Sequence, residues 1–236
     1  MRNETRTAIL FEDAHFIAVD KPAGLLVHPS HIDAQNADTL ITRLAEQTGQ
    51  RCAPVHRLDR ATSGVMVLAK HADAARALSA TWATGVRKSY HAVVRGHLRA
   101  ATRLEHPVRD RDSGVRRDAI TRFAPLAEVE INEHVDRYPT TRYALIEAEP
   151  ITGRRHQIRQ HLKHLNHPIL GDTSYGKSVH NRYIATRFNA QRLLLMAKQL
   201  SFRHPFNGDL VCLDASPDAA FQRVLDGLPW RPTETA

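Results

Sequence analysis

Cysteine is scarce: Cys52 and Cys212 are the only two in 236 residues, far apart and without a CxxC pair. A disulfide framework and a four-cysteine zinc site are thereby excluded as organising devices. Neither GxGxxG nor GxxxxGK[ST] occurs, so the glycine loops that cradle dinucleotides and nucleoside triphosphates are missing. No apolar run approaches the ~20 residues of a membrane span. The charged opening Met1-Arg-Asn-Glu-Thr-Arg6 is not followed by the apolar stretch of a signal peptide. These absences predict a cytoplasmic protein with no membrane partner.

What is present is ordinary in apolar content and unusual in charge. Hydrophobic residues make up 42 % of the chain, a normal share for a globular protein long enough to bury a core. Lys and Arg number 33 against 25 Asp and Glu, giving a formal charge of +8 at neutral pH. A basic surface favours a polyanionic partner, because each cation that neutralises a phosphate releases counterions. Nucleic acid is the partner this balance suggests.

The chain is organised around Pro54-Val-His-Arg-Leu-Asp-Arg-Ala-Thr-Ser-Gly-Val-Met-Val-Leu-Ala69. Val55 and the run Val65 to Ala69 read as strands, with a polar elbow between them. In that elbow Asp59 sits between Arg57 and Arg60, and Thr62-Ser63-Gly64 supplies hydroxyls and a residue free to take positive φ. A carboxylate between buried strands is costly to desolvate without a cation nearby, so Asp59 is either a structural ion pair or a working group.

Around the elbow the pattern alternates strands and helices. Ala8 to Phe11 and Phe16 to Val19 read as an antiparallel hairpin, and the turn Asp20-Lys-Pro-Ala-Gly24 leads to Leu25-Leu-Val-His28. Thr39 to Gln47 and the Ala-rich His71 to Trp82 carry apolar residues at helical spacing. Arg87 to Gly96 alternates as a strand, with Tyr90, Ala92 and Val94 on one face. Arg99 to Asp118 is rich in Arg, without a period, and reads as a surface loop or hairpin. Phe123 to Val135 and Thr141 to Ala148 are further strands. Thr152 to Leu162 opens a helix with Thr152 at its N-cap and with Arg155 and Arg159 on one face. Leu193 to Leu200 and Val211 to Leu213 read as late strands, and Asp218 to Leu225 as a closing helix. His161 and His164 are three apart, but no adjacent carboxylate or cysteine completes a metal set, so no metal is expected.

The string His56-Arg-Leu-Asp-Arg-Ala-Thr-Ser-Gly64 resembles the catalytic signature of the RluA-type family of RNA pseudouridine synthases. Lys88-Ser-Tyr90 resembles that family's second motif, and Thr152-Gly-Arg-Arg-His-Gln-Ile-Arg159 its third. His167-Pro-Ile-Leu-Gly-Asp172 with Tyr175-Gly176 resembles it again. The resemblance implies that Asp59 is the catalytic residue, that Tyr90 touches the target base, and that Arg159 pairs with Asp59. Arg57 is expected in the space left by a flipped base. By the same resemblance Arg60, Thr62, Arg155, His156 and Gln157 bind substrate.

The implied fold is mixed α+β: one catalytic domain over residues 1–236, a largely antiparallel central sheet flanked by helices, and no preceding RNA-binding domain of the S4 type. The implied reaction, an isomerisation of uridine without redox change, calls for no cofactor. One departure stands out, since Met196 occupies a position where the family usually has histidine. The strings Arg137-Tyr-Pro-Thr-Thr-Arg-Tyr143, Glu147 to Arg159, Gln191 to Leu200 and His204-Pro-Phe-Asn-Gly208 look closest to the branch that modifies transfer RNA at uridine 65. A monomer acting on RNA is the resulting expectation. Its rivals are a non-catalytic RNA-binding module and a glycoside or nucleoside hydrolase, which would need a second carboxylate; Asp172 is the one the motifs offer.

Overall fold

Two short apolar runs around a polar turn make the first hairpin: β1 (Ala8–Glu12) pairs antiparallel with β2 (Phe16–Lys21). The Asp13 carboxylate accepts from the amides of His15 at 2.7 Å and Phe16 at 2.6 Å, which fixes the turn. The computed structural model describes residues 6–28 and 38–233; most of the charged amino-terminal hexapeptide lies outside them. The chain divides into two compact units, one running to Lys88 with Ala197–Ser216, the other Ser89–Met196 with the residues from Pro217 on.

In the first unit the strand order is β1-β2-β4-β11, where β4 is Ser63–Ala69 and β11 is Leu195–Arg203. All seven residues of β4 are buried, which is why its sequence is a continuous apolar run rather than an alternating one. β3 (Ala53–Pro54) lies beside β4, and β12 (Leu210–Asp214) beside β11. The expected strand at Val55 does not form; Val55 lies one residue beyond β3, in a bend. Pro54 carries no N–H to extend the ladder. The Val67 amide donates instead to His56 Nε2 at 3.0 Å.

α1 (Leu40–Thr48) begins in a capping box between Thr39 and Thr42 and ends at Gly49 with φ 70°. It buries Leu40 and Leu44. α2 (Ala72–Gly85) is capped by the His71 side chain, which accepts from the Ala74 amide, and buries Ala74 and Leu78. Leu25 to His28 is not a strand, and only Leu26 makes an isolated bridge, to Thr39.

The second unit has the order β5-β10-β9-β13, with β5 Val86–Arg95, β9 Ile120–Ile131, β10 Thr141–Pro150 and β13 Arg231–Pro232. Tyr90 stands opposite Ala148 in the antiparallel β5–β10 register. The Arg-rich segment resolves into β6 (Thr102–Glu105), which joins the edge of β9, and a small hairpin of β7 (Val108–Arg109) with β8 (Arg116–Arg117).

Three helices complete this unit: α3 (Gln157–His164), α4 (Ser178–Phe188) and α5 (Ala219–Gly227), the last capped by Asp218. α4 was not legible in the sequence. Its buried stripe is His180, Ile184 and Phe188, and a histidine in that stripe hides the period. The pairings β1–β2, β2–β4, β11–β12, β5–β10, β9–β10 and β6–β9 are antiparallel, so the sheet is largely antiparallel and the class is α+β as expected. Among the described residues no helix is long and apolar enough to cross a membrane.

Candidate active site

The elbow that carries Asp59 is held by backbone and by a buried cation. The Asp59 carbonyl accepts from the Thr62 amide at 3.0 Å, closing a turn that leaves Leu58 and Thr62 buried. The next residue, Arg60, is tied to the Lys21-Pro-Ala-Gly24 turn from both sides. Its carbonyl accepts from the Gly24 amide at 2.8 Å, and its own Nε donates to the Gly24 carbonyl at 2.9 Å. Lys21 is fully buried and its ammonium donates to the carbonyls of Pro22, Leu25 and Arg60 at 2.7, 2.9 and 3.3 Å. A buried ammonium surrounded by carbonyl dipoles anchors the polar elbow to the sheet. Sequence reasoning gave Lys21 no role beyond its turn.

At the other end of the elbow Gly64 has φ 108°, and a Cβ there would lie 2.2 Å from the Ala197 carbonyl oxygen. Only glycine allows the neighbouring strand to approach so closely. Asp59 itself is half-buried, and Arg57 is exposed, with no hydrogen bond or ion pair among the described residues. His56 stacks on Trp82 with ring centroids 4.6 Å apart. Desolvation of the ring, with repulsion from Lys88, pushes the His56 pKa down to about 3. His56 is therefore a neutral imidazole that orders the elbow.

In the second unit Tyr90 is half-buried on β5, and the third motif surrounds the start of α3. The expected N-cap at Thr152 is not found. The helix begins after His156, which adopts φ 56° and offers no side-chain cap. Gln157 takes over the bracing. Its amide oxygen accepts from Thr152 Oγ1 at 2.8 Å and the Arg154 amide at 3.0 Å, and its amide nitrogen donates to the Ile120 carbonyl and Thr121 Oγ1, both at 2.9 Å. All the hydrogen-bonding capacity of this side chain is used inside the protein.

Because the helix starts later than expected, Arg155 and Arg159 do not share a helical face. Arg155 precedes α3, is exposed and pairs with Asp112. Arg159 is buried and meets Asp172 through two parallel hydrogen bonds, Nε to Oδ2 at 2.7 Å and Nη2 to Oδ1 at 2.8 Å. Oδ1 also accepts from the amides of Ser174 at 2.9 Å and Tyr175 at 3.0 Å. Burial opposes the Asp172 charge, but the Arg159 guanidinium and these amides outweigh it and hold the carboxyl below its ordinary range.

Tyr175 gathers the rest of this group. Its hydroxyl lies 3.2 Å from His156 Nδ1, and the cations of Arg159, Arg111 and Lys163 stand 5.2, 5.6 and 5.9 Å from its ring centroid. A small pocket of about 180 Å³ opens beside the β7–β8 hairpin, lined by Asp110, Arg117, Arg154 and Arg155 among others. Asp172 and Tyr175 stood in a matching segment of the sequence, where Asp172 counted only as the second carboxylate of the rival hydrolase reading and Tyr175 received no role. The signal was Gly171, at φ 77°, where a Cβ would lie 1.8 Å from the Arg192 carbonyl oxygen.

The histidines fall to structural partners. His161 bridges Thr121 Oγ1 and the His106 carbonyl, both at 2.9 Å, while His164 stacks on His106. His167 Nδ1 lies 3.0 Å from the Arg95 carbonyl. Among the described residues no group of three or more His, Cys, Asp or Glu is placed to hold a metal ion. Met196 is fully buried in β11. The structure thus brings Asp59, Arg60 and Thr62 into one turn of the first unit, and His156 and Arg159 around Tyr175 in the second.

The chain is also similar to known proteins. The family model described as RNA pseudouridylate synthase matches residues 15–164. The chain is 40% identical over 234 residues to tRNA pseudouridine synthase C of Vibrio cholerae, covering 94% of this chain and 96% of that one. It is 42% identical over 234 residues to the protein of the same name from Salmonella typhi, with 94% and 90% covered. Among solved structures, human RNA Pseudouridylate Synthase Domain Containing 4 superposes with a TM-score of 0.73 at 25% identity, over 95% of this chain and 94% of that one. The chain belongs to the RluA-type family of RNA pseudouridine synthases, isomerases that convert uridine in RNA to pseudouridine.

Proposed function

We propose that this enzyme converts uridine 65 of transfer RNA, with Asp59 as its catalytic residue. The observation that carries the reading is near-full-length similarity, about 40% identity, to proteins named tRNA pseudouridine synthase C, with the His56 to Gly64 elbow intact. The net charge of +8 and the arginines beside the β7–β8 hairpin suit an RNA backbone. The chain acts as one catalytic domain and as a monomer in the cytoplasm, without metal or redox cofactor.

The reaction breaks the bond from C1′ of the ribose to N1 of uracil, turns the base, and joins C1′ to C5. The proton on C5 then leaves and one is regained at N1, so atoms balance with no oxidant. A stacked uridine is out of reach and must be extruded, at about a few kcal/mol. Arg57, planar and exposed, fills the gap and donates to the orphaned partner base.

Asp59 works as a carboxylate, and Arg159 is the cation assigned to keep it ionised. It either attacks C1′ or removes the neighbouring C2′ proton; both routes need the charged form within reach of the ribose. Tyr90 stacks on the base. As a phenol with an ordinary pKa of ~10 it needs a tuned environment to take the C5 proton. Arg60, Thr62, Arg155 and His156 hold the RNA, and Gln157 holds the turn from which Arg155 and His156 project.

Pseudouridine mapping of total RNA from cells with and without the gene tests the substrate. Loss of one signal at position 65 of transfer RNA is the expected result; loss from ribosomal RNA instead overturns the substrate while keeping the reaction. Asp59→Asn, assayed by single turnover, should abolish isomerisation and leave RNA affinity within about twofold. Substantial residual turnover removes Asp59 from its role. Release of free uracil by the wild type would point to a hydrolase, and binding without any product to an RNA-binding module.

A further inference from the structure

A second pocket lies in the same unit as Tyr90 but at the far end of its strand. Its volume is about 450 Å³, within the usual range for small-molecule sites. It is formed where β5 ends at Arg95 and Gly96, where the loop Asp136 to Thr140 enters β10, and where His167 and His180 approach from the helical side. Tyr90 and Arg95 are five residues apart on an extended strand, or roughly 17 Å. None of the lining residues belongs to the Arg159, Asp172 and Tyr175 group.

Two buried donors in its wall have no hydrogen-bond partner among the described residues: Arg95 Nε and His180 Nε2. His180 is 4% exposed, and its Nδ1 lies 3.1 Å from the hydroxyl of Tyr143, which is itself fully buried. Nδ1 is the one acceptor for that hydroxyl proton among the described residues, and with the hydroxyl as donor the neutral ring carries its hydrogen on Nε2. The nearest carboxylate to Nε2 is Asp136, at 3.9 Å, too far for a hydrogen bond.

The remaining lining charges are already balanced. Asp136 pairs with Lys177 at 3.0 Å, and Arg142 with Glu130 at 3.0 Å. Arg95 alone contributes a cation without a paired carboxylate among the described residues. Buried donors left unsatisfied are rare in folded proteins, and two facing one cavity mark the place of an acceptor-rich ligand. At the rim Tyr138 is 55% exposed, with the Arg137 guanidinium 5.2 Å from its ring centroid. An aromatic face beside an arginine is the surface on which nucleobases stack. Asp136 supplies an acceptor for a ribose hydroxyl or a base N–H.

We propose that this pocket binds a ribonucleotide unit, its phosphate on Arg95 and His180, its ribose or base edge at Asp136 and its base on Tyr138. The segment Arg137 to Tyr143, which the uridine chemistry does not use, is then a binding element. The unit has two sources of the same chemistry, a nucleotide splayed from the RNA substrate or a free mononucleotide. The RNA source rests on the substrate reading above.

Uridine 5′-monophosphate titrated into ¹⁵N-labelled wild-type enzyme should shift the Arg95 Nε–H resonance and saturate. An unmodified tRNA transcript should bind Arg95→Gln about tenfold more weakly and Tyr138→Ala about threefold more weakly, with turnover at saturating RNA unchanged. Tyr138→Ala removes an exposed ring, so it reports even if Arg95→Gln fails to fold. A shift with the mononucleotide and unchanged transcript affinity supports a free nucleotide as occupant. Loss of transcript affinity without a mononucleotide response supports the RNA. Absence of both effects overturns the proposal. If the wild type leaves the transcript unmodified, the substrate reading has failed, and the mononucleotide titration still decides this one.

Discussion

Replacing Asp172 by Asn tests how far Arg159 depends on its buried partner. The pair is nearly solvent-free, with side-chain exposures of 8% and 0%. One carboxylate oxygen takes Arg159 Nη2 and the amides of Ser174 and Tyr175, and the other takes Arg159 Nε. In Asn one of these positions becomes an NH₂ that faces a donor. Removing one partner of a buried pair costs about 3–5 kcal/mol, and Asn retains one oxygen, so about 3 kcal/mol is expected. For a chain of this length that lowers Tm by roughly 6–12 °C.

Urea titration at neutral pH, with the slope checked for constancy, reads the loss. A decrease below about 1 kcal/mol would refute the argument, because the guanidinium would then have found other acceptors. Acid adds a second reading. The Asp172 pKa is depressed in the folded state, so its contribution is complete above the unfolded value of about 3.9 and fades as pH falls below it. Asp172→Asn should flatten that part of the acid limb. The double variant Arg159→Met/Asp172→Leu, which removes both charges, should regain most of the stability and none of the turnover. Recovered turnover would show that Arg159 has no part in the reaction.

Other perturbations give equally direct outcomes. Gly64→Ala places a methyl 2.2 Å from a backbone oxygen at φ 108° and should cost at least about 3 kcal/mol, read as a lower urea midpoint or loss of folded protein; a change within about 0.5 kcal/mol would mean that β4 and its neighbour move apart easily. His56, with its pKa pushed down to about 3, should show no imidazole titration by NMR between pH 5 and 8. Because its folded pKa lies below the unfolded value of about 6.5, its contribution to stability declines as pH falls below that value. A ring that protonates near pH 6 would contradict the desolvated stack on Trp82. Lys21→Met, which removes the ammonium but keeps the stem, should loosen the elbow and lower turnover more than RNA affinity, as single-turnover and binding assays would show; equal losses would mean that Lys21 only supports the fold.

Sequence alone determined the elements whose signals are local. The hairpin of β1 and β2, the fully apolar β4, the amphipathic α1 and α5 and the alternating β5 all follow from periodicity and capping residues. The nine residues from His56 to Gly64 marked the family, since charges at fixed spacing around a glycine are a specific pattern. Tertiary structure decided everything that depends on a distant partner. Val55 left its strand because Pro54 ends the ladder and His56 takes the Val67 amide. α3 began at Gln157 rather than near Thr152, because the Gln157 amide ties the preceding turn to β9. Arg155 and Arg159, read as neighbours on one face, therefore meet different carboxylates, Asp112 outside and Asp172 inside. A buried lysine stitching two turns and an aspartate held by two amides and a guanidinium carry no local period, because their partners lie up to 39 residues away along the chain. Such contacts come from closing the fold, and that closure is what turns a recognisable string into an ordered site.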